Sequence, residues 1–338
     1  MKFKILKPSG FDVSLGAGEM HVLKTEPPID IAVPTYNCSQ WIDDFFESLL
    51  MQDVREWRVV TRDDGSSDDT VERVLYWQRK LGSRVMIIAN QNQNNLGMIG
   101  NYDLVLRYCT AEFVMLGDPD DVWKPGKVRK ALSAIMDARM VFGEDAPIAV
   151  CTDAEVVDDV LVTISTSFWR WSRMKPKYVD QLPRMLMESP ILTSTMMINR
   201  PLLDLALPLT GAAACPDWWI ALVACAFGKI IVIHETSCFY RRHGANDSTE
   251  PLASDLLHGI RRVGVLRKRV KFLMHQLAPQ ARAFSERFSE QATSKQIRAS
   301  EVASRLPVLG PVSGRLAALR HGLLFSSLLK CIGFFLFF

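Results

Sequence analysis

Three carboxylates, Asp118, Asp120 and Asp121, follow directly on the apolar run Phe113-Val114-Met115-Leu116 and Gly117. Anions this close repel one another and are driven toward protonation unless a cation shares their site. A hard divalent ion, Mg²⁺ or Mn²⁺, meets that need when one or two carboxylates hold it and substrate phosphates complete its shell. A solvated acidic turn, with Asp118 capping the next helix, accounts for the same residues. A second cluster, Asp63-Asp64, sits in Arg62-Asp63-Asp64-Gly65-Ser66-Ser67-Asp68-Asp69, where an Asx-turn capping the next helix is the plain alternative to ligand binding. Asp217 stands alone before an apolar stretch, where by itself it reads as a helix N-cap.

Groups so far apart in sequence need a scaffold that gathers them. Ile29–Val33 reads as a short strand running into the turn Pro34-Thr35-Tyr36-Asn37. Trp41, Ile42, Phe45, Phe46, Leu49 and Leu50 then recur at helical spacing, with Ser39 as N-cap and Asp43-Asp44 in the first turn. A strand at Trp57–Thr61, a helix at Thr70–Leu81 and a strand at Arg84–Ala89 follow, then the amide-rich loop Asn90–Asn95 and a helix at Ile99–Tyr108. Phe113–Leu116 is the fourth strand of the series. Such alternation predicts an α/β fold with a doubly wound, mostly parallel sheet, whose ligands collect where strands end. Beyond Pro125 the pattern loosens: strands at Ile148–Thr152, Leu192–Ile198 and Lys229–Ile233, a loop or helix across Leu161–Met174, and an apolar helix from Asp217 to Phe227 stopped by Gly228. No internal repeat is present.

Composition narrows the class. The chain has 338 residues, 48% hydrophobic, enough for a sizeable core. A net charge of +3 gives no reason to expect nucleic acid. Seven scattered cysteines with no CxxC pair argue against a disulfide framework or a zinc site and suit a reducing compartment. The start, Met1 to Gly10, lacks the apolar core of a signal peptide, which makes a cytoplasmic location the expectation.

Taken in order, Val33-Pro34-Thr35-Tyr36-Asn37, Asp63 to Asp68, Asn95-Leu96-Gly97 with Asn101, Asp118 to Pro125, Asp217-Trp218-Trp219 and Tyr240 to Gly244 resemble the family 2 glycosyltransferases of the GT-A fold. The resemblance covers about 29–246 and is nearest the bacterial rhamnosyltransferase branch, which acts on surface polysaccharides. It implies an inverting transferase that moves a deoxyhexose, for instance from dTDP-L-rhamnose, to a glycan or lipid-linked acceptor. By the same resemblance Pro34, Thr35, Tyr36, Asp63, Asp64, Asn95, Gly97 and Asn101 hold the nucleotide, and Asp118 and Arg241 reach its diphosphate. Asp118, Asp120 and His243 would hold the Mg²⁺ or Mn²⁺, with Asp120 the direct ligand, and Asp217 would be the base. Pro216 stands where many relatives carry Glu or His, and Thr193 where glycine is frequent, so the acceptor side departs from the pattern.

Residues 1–28 read as an N-terminal extension and 247–338 as a helical C-terminal region. There, Arg261-Arg262, Arg267-Lys268-Arg269 and Lys271 alternate with apolar residues, as on a helix that lies on an anionic membrane or packs on the domain. The end, Gly322 to Phe338, is apolar but short for a span and interrupted by Lys330. It suits an interfacial anchor, with the Lys330 ammonium kept at the headgroups, or a homo-oligomer contact. Together these features place the protein peripherally on the inner face of the cell membrane. A glycoside hydrolase using two carboxylates and a non-catalytic nucleotide-sugar binding protein are the competing classes; the first has no use for Asp63-Asp64.

Overall fold

The computed structural model describes residues 4–6, 12–14, 28–90, 94–244 and 263–337. Its strands are β1 (Lys4–Leu6), β2 (Asp12–Ser14), β3 (Ile29–Thr35), β4 (Trp57–Asp63), β5 (Val85–Ile87) and β6 (Phe113–Leu116). They continue as β7 (Val122–Trp123), β8 (Ile148–Val157), β9 (Thr163–Ser165), β10 (Met196–Asn199) and β11 (Lys229–Arg241). All eleven join one sheet, with the path β2-β1-β11-β8-β10-β6-β3-β4-β5. Strands β6, β3, β4 and β5 are parallel, as are β8 and β11. Strand β10 runs against both its neighbours, β6 and β8, so the sheet is mixed rather than uniformly parallel. The reversal has a use: the short turn Thr193–Thr195 before β10 is thereby held at the same sheet edge as the ends of β6 and β8. The expected strand from Leu192 therefore begins only at Met196.

Strands β3 and β6 are buried along nearly their whole length, as continuous apolar runs covered on both faces must be. Helix α1 (Ile42–Leu50) covers one side with Ile42, Phe45, Phe46 and Leu49, and Phe46 stacks on Trp77 of α2 (Thr70–Leu81). Ser39 does not cap α1; its amide donates to Asp68 Oδ2 at 3.0 Å, and the helix starts two residues later than that cap would allow. Helices α3 (Gly97–Tyr108) and α4 (Lys127–Phe142) complete the strand–helix alternation. The stretch from Leu161 contains both β9 and a short helix, α5 (Phe168–Trp171), and two further short helices follow, α6 (Leu182–Met185) and α7 (Arg200–Ala206). Strand β11 runs eight residues past its expected end at Ile233, carrying the chain up to the sheet edge at Arg241.

Helix α8 (Pro216–Phe227) is apolar nearly all round and buried through its first nine residues, the pattern of a central helix. Proline fits its first turn, where the missing N–H has no partner to lose. Glycine ends it of necessity, since a Cβ on Gly228 would lie 2.1 Å from the Pro147 carbonyl oxygen. The far side of α8 is covered by α9 (Val263–Arg287), whose Phe284, with Phe288 just past the helix end, meets Trp219 and Phe227. Arg287 adds hydrogen bonds to the carbonyls of Leu205 and Leu207 at 2.8 and 2.5 Å. The side chains of Arg261 to Lys271, and hence the basic amphipathic face, lie outside the described residues.

Three more helices, α10 (Ser294–Arg305), α11 (Pro311–His321) and α12 (Leu328–Phe337), finish the chain. Among the described residues no helix is long and apolar enough to cross a membrane. The apolar tail packs inward: Leu323, Phe325 and Phe334 are fully buried. Lys330 is not at any interface either. It is buried, with Nζ 2.7 Å from Glu188 Oε2, because a cation surrounded by apolar chain needs its counterion beside it.

Candidate active site

Register sets the two acidic clusters at one edge. Thr35 at the end of β3 pairs with Asp63 of β4, and on the other side the Gly117 amide bonds the Ala32 carbonyl at 2.9 Å. Two strand steps of about 4.8 Å separate the clusters, roughly 10 Å across β3. Gly117 lets the chain turn there, since a Cβ would sit 3.1 Å from the Phe45 ring and 3.2 Å from Val33 Cγ2.

On the β3–β4 side most polar groups are turned toward the chain. Asp63 builds an Asx-type turn, accepting from the amides of Gly65 (3.0 Å) and Ser66 (2.8 Å) and from Thr35 Oγ1 (3.2 Å). Asp64 is buried in an ion pair with Arg62 at 2.5 Å and also accepts the Leu96 amide at 2.8 Å. Arg62 donates to Asn101 Oδ1 at 2.9 Å and the Asn94 carbonyl at 2.9 Å. Asn101 is buried too, its amide nitrogen 3.2 Å from the Arg62 carbonyl. These residues therefore fix the loop that the nucleotide would meet, and Asn101 works from beneath it. Arg62, the hub, escaped the sequence reading because it lies inside the acidic run. Pro34 is half-buried, Tyr36 is 54% exposed and Asn95 shapes a local turn by accepting the Gly97 amide at 2.9 Å. Gly97 itself has φ +69°, a left-handed conformation suited to glycine.

The Asp118–Asp121 cluster divides. Tyr102 Oη, a residue the sequence reading missed, donates to Asp118 Oδ1 at 2.7 Å. Burial, then the charge of Asp120, pushes the Asp118 carboxyl up to about 7, with Asp217 adding to the effect. Asp120 Oδ2 lies 2.9 Å from His243 Nε2, and the imidazole stacks on Trp41 with centroids 3.9 Å apart. Asp121 points into the core, accepting from Ser194 Oγ and from the Arg241 amide at 3.0 Å. Below it the fully buried Lys127 donates to the Ser194 carbonyl (2.5 Å) and Ser237 Oγ (2.9 Å). Burial raises the pKa of Asp121 and lowers that of Lys127. Arg241, expected at the diphosphate, spends its guanidinium on the chain: Asp120 carbonyl at 2.9 Å, Asp159 carbonyl at 2.5 Å and Asp44 Oδ2 at 2.7 Å.

Asp217 reaches the same place from another direction. Helix α8 begins after Cys215, whose backbone is the N-cap, so Asp217 sits in the first turn rather than at the cap. A helix N-terminus favours an anion there. The carboxylate is buried and bonded by the side chains of Cys215 and Thr193, and burial raises its pKa. Its charge helps raise the pKa of both Tyr102 and Asp118, so the start of α8 lies near the end of β6. Thr193 stands against the proposed base and so belongs to the crevice wall.

The donor set suits a divalent cation. Asp118, Asp120 and His243 offer two carboxylates and an imidazole, and the mutual elevation around Asp118 is the electrostatic deficit that a cation relieves. Among the described residues no three such side chains close around a metal on their own.

The sequence model for glycosyl transferase family 2 matches residues 30–198, half of the chain. An uncharacterised glycosyltransferase of Nostoc sp. is 25% identical over 226 residues, 65% of this chain and 66% of its own length. The Escherichia coli UDP-Glc:α-D-GlcNAc-diphosphoundecaprenol β-1,3-glucosyltransferase WfgD is 28% identical over 34% of this chain and 43% of its own. The match thus spans less than two thirds of either relative. Among solved structures, S. aureus TarS 1–349 in complex with UDP-GlcNAc aligns over 91% of this chain and 89% of its own, with a TM-score of 0.50 and 16% identity. At that identity the likeness shows the fold, an α/β sheet of the GT-A type with its strands mixed in direction.

Proposed function

The chain belongs to glycosyl transferase family 2, and on that premise we propose that it moves a sugar from a nucleotide diphosphate donor to a hydroxyl of a growing glycan with inversion at C1. One juxtaposition supports the reading: a buried carboxylate, Asp217, lies near enough to Asp118 for its charge to help raise that carboxyl, at the end of β6, which runs parallel to β3. The crevice outside such strand ends is where open α/β sheets take their ligands.

Asp217 takes the proton of the acceptor hydroxyl as its oxygen forms the new bond to C1. The bond from C1 to the diphosphate oxygen breaks on the opposite face, its electron pair leaving with the nucleoside diphosphate. Burial among Cys215, Thr193 and Trp218 keeps bulk water off the carboxylate and sharpens its direction. Asp120 and His243, with Asp118 behind them, would hold a Mg²⁺ or Mn²⁺, which when bound neutralises charge on the leaving diphosphate. The ring of Tyr36, exposed to solvent, would stack on the nucleotide base. The deoxyhexose donor rests on the motif run alone, whereas WfgD is named for UDP-Glc. Its diphosphoundecaprenol acceptor supports a lipid-linked acceptor here, met at the inner face of the membrane.

The deciding experiment is Asp217→Asn. Donor binding stays near wild type, and transfer falls by about 10²–10⁴-fold, the worth of a positioned base. Equal loss of donor binding, or transfer within about threefold of wild type, rejects the assignment.

A further inference from the structure

A cleft of about 980 Å³, lined by none of the acidic residues Asp118, Asp120 and Asp217, lies between α5 with the segment after it, β11 and the start of the tail. Arg170, Arg173 and Lys175 all line it. None of the three has an ion-pair partner among the described residues. The carboxylates of the cleft are already engaged. Asp153 accepts from Ser167 Oγ at 2.5 Å and the Trp169 amide at 3.2 Å, and Glu235 is paired with Lys130 at 2.6 Å. Asp153 is bonded only by neutral donors and keeps its charge, so one carboxylate stands against three cations and the cleft is net positive. Such a concavity recruits an anion, and two of its cations are arginines, which bind phosphate oxygens in pairs.

The rim of the cleft is apolar in a particular direction. Ser327 lines it, and the next residue opens α12, where Leu328, Ile332 and Leu336 are 74%, 45% and 64% exposed. Spaced four apart, they form one stripe. Val312, Leu316 and Leu319 of α11 are exposed as well, and Arg315 bonds the Leu336 carbonyl at 3.4 Å, tying the two helices together. A charged cleft whose lining ends at Ser327, one residue before an exposed apolar stripe begins, fits a ligand with an anionic head and a long apolar chain. The cleft is also joined to the acceptor side of the crevice: Trp169 Nε1 holds the Pro190 carbonyl at 2.7 Å, three residues before Thr193, the partner of Asp217.

We propose that this cleft seats the diphosphate of a lipid-linked acceptor, with the lipid chain along the α12 stripe and the glycan directed toward Asp217. The inference rests on the glycosyl-transfer reading and specifies its acceptor. A volume near the upper end of ordinary ligand sites leaves room for a diphosphate and the first sugar on it.

Farnesyl diphosphate, kept below its aggregation limit and titrated calorimetrically into the full chain, is the probe. It binds at least about tenfold more tightly than inorganic diphosphate or farnesol, and excess UDP does not displace it. Arg170→Ala with Lys175→Ala, both at exposed positions, weakens it at least about tenfold with the melting temperature unchanged. Leu328→Ser with Ile332→Ser weakens farnesyl diphosphate but not inorganic diphosphate. Full displacement by UDP assigns the probe to the donor crevice and overturns the proposal, as does wild-type affinity in the Arg170/Lys175 variant. Phosphatidylglycerol vesicles that bind as tightly, and lose binding with the same variants, make the surface a general membrane face and overturn it too. Binding of nucleotide sugars, measured on the same samples, separates the two readings: if none binds, the transferase reading fails while the cleft is still judged by farnesyl diphosphate.

Discussion

Glu188→Ala tests how the tail is held. Wild-type Glu188 accepts from Lys330 Nζ at 2.7 Å and from the Ser326 amide at 2.5 Å, and both charged side chains are almost fully buried. Removing one partner of such a pair strands the other charge at a cost of about 3–5 kcal/mol. The chain can avoid that cost by releasing the segment after Gly322. Release exposes Leu323, Phe325 and Phe334, at about 1.5–3 kcal/mol each and as an upper bound. Against that, the freed residues regain backbone entropy. The two routes are close in energy, so the tail opens locally far more often than in the wild type while the sheet stays folded. Hydrogen exchange followed by mass spectrometry should show α12 amides exchanging about a hundredfold faster or more, with those of β3, β4 and β6 unchanged. Since Ser327 lines the cationic cleft, farnesyl diphosphate affinity falls in step. Pairing Glu188→Leu with Lys330→Met removes both charges and restores protection. Wild-type exchange across α12 in Glu188→Ala refutes the reasoning, because the pair would then not be holding the tail.

Further outcomes follow from the crevice. Asp120→Asn abolishes transfer and weakens nucleotide binding only when Mn²⁺ is present; an Asn variant with full transfer removes Asp120 from the metal site. Asp121→Asn leaves one buried donor facing an amide N–H, a loss of about 1–3 kcal/mol in chemical denaturation, offset in part by relief of repulsion with Asp118 and Asp120. Its kcat falls more than its KM changes, because Ser194 and Arg241 shift while no substrate contact is lost. Burial raises Asp217, so kcat/KM is present above its pKa and lost as pH falls, with a midpoint above the ordinary aspartate value of about 3.9. A midpoint at or below that value in the pH–rate profile places the base elsewhere.

The parts of this molecule that were legible in the sequence are those encoded locally. Continuous apolar runs gave β3, β4 and β6, and helical spacing gave α1 and α2, so the strand ends that carry Asp63-Asp64 and Asp118-Asp120 could be located. The direction of β10 could not, because a four-residue apolar run carries no record of which way it enters the sheet. The hairpin of β1 and β2, which extends the sheet beside β11, was likewise hidden in a polar lead-in without periodicity.

The harder failures share one cause, a buried polar group whose partner is remote in sequence. Lys330 resembled an interfacial lysine because its apolar neighbours are adjacent in the chain while Glu188 is 142 residues away. The Asp44 partner of Arg241 lies 197 residues off and was equally invisible in the sequence. Asp121 could not be told from Asp118 and Asp120 until Ser194 and Arg241 were beside it. Local pattern says which residues can carry charge; only the fold says which charges are already spent. Applied to the whole surface, that distinction gives Arg170, Arg173 and Lys175 their weight. They belong to no motif, yet they have no ion-pair partner among the described residues, in a chain that has matched Lys127, Arg62, Arg241 and Lys330 so closely. Charge left unspent beside an apolar stripe is where a ligand carrying both characters has something to gain by binding.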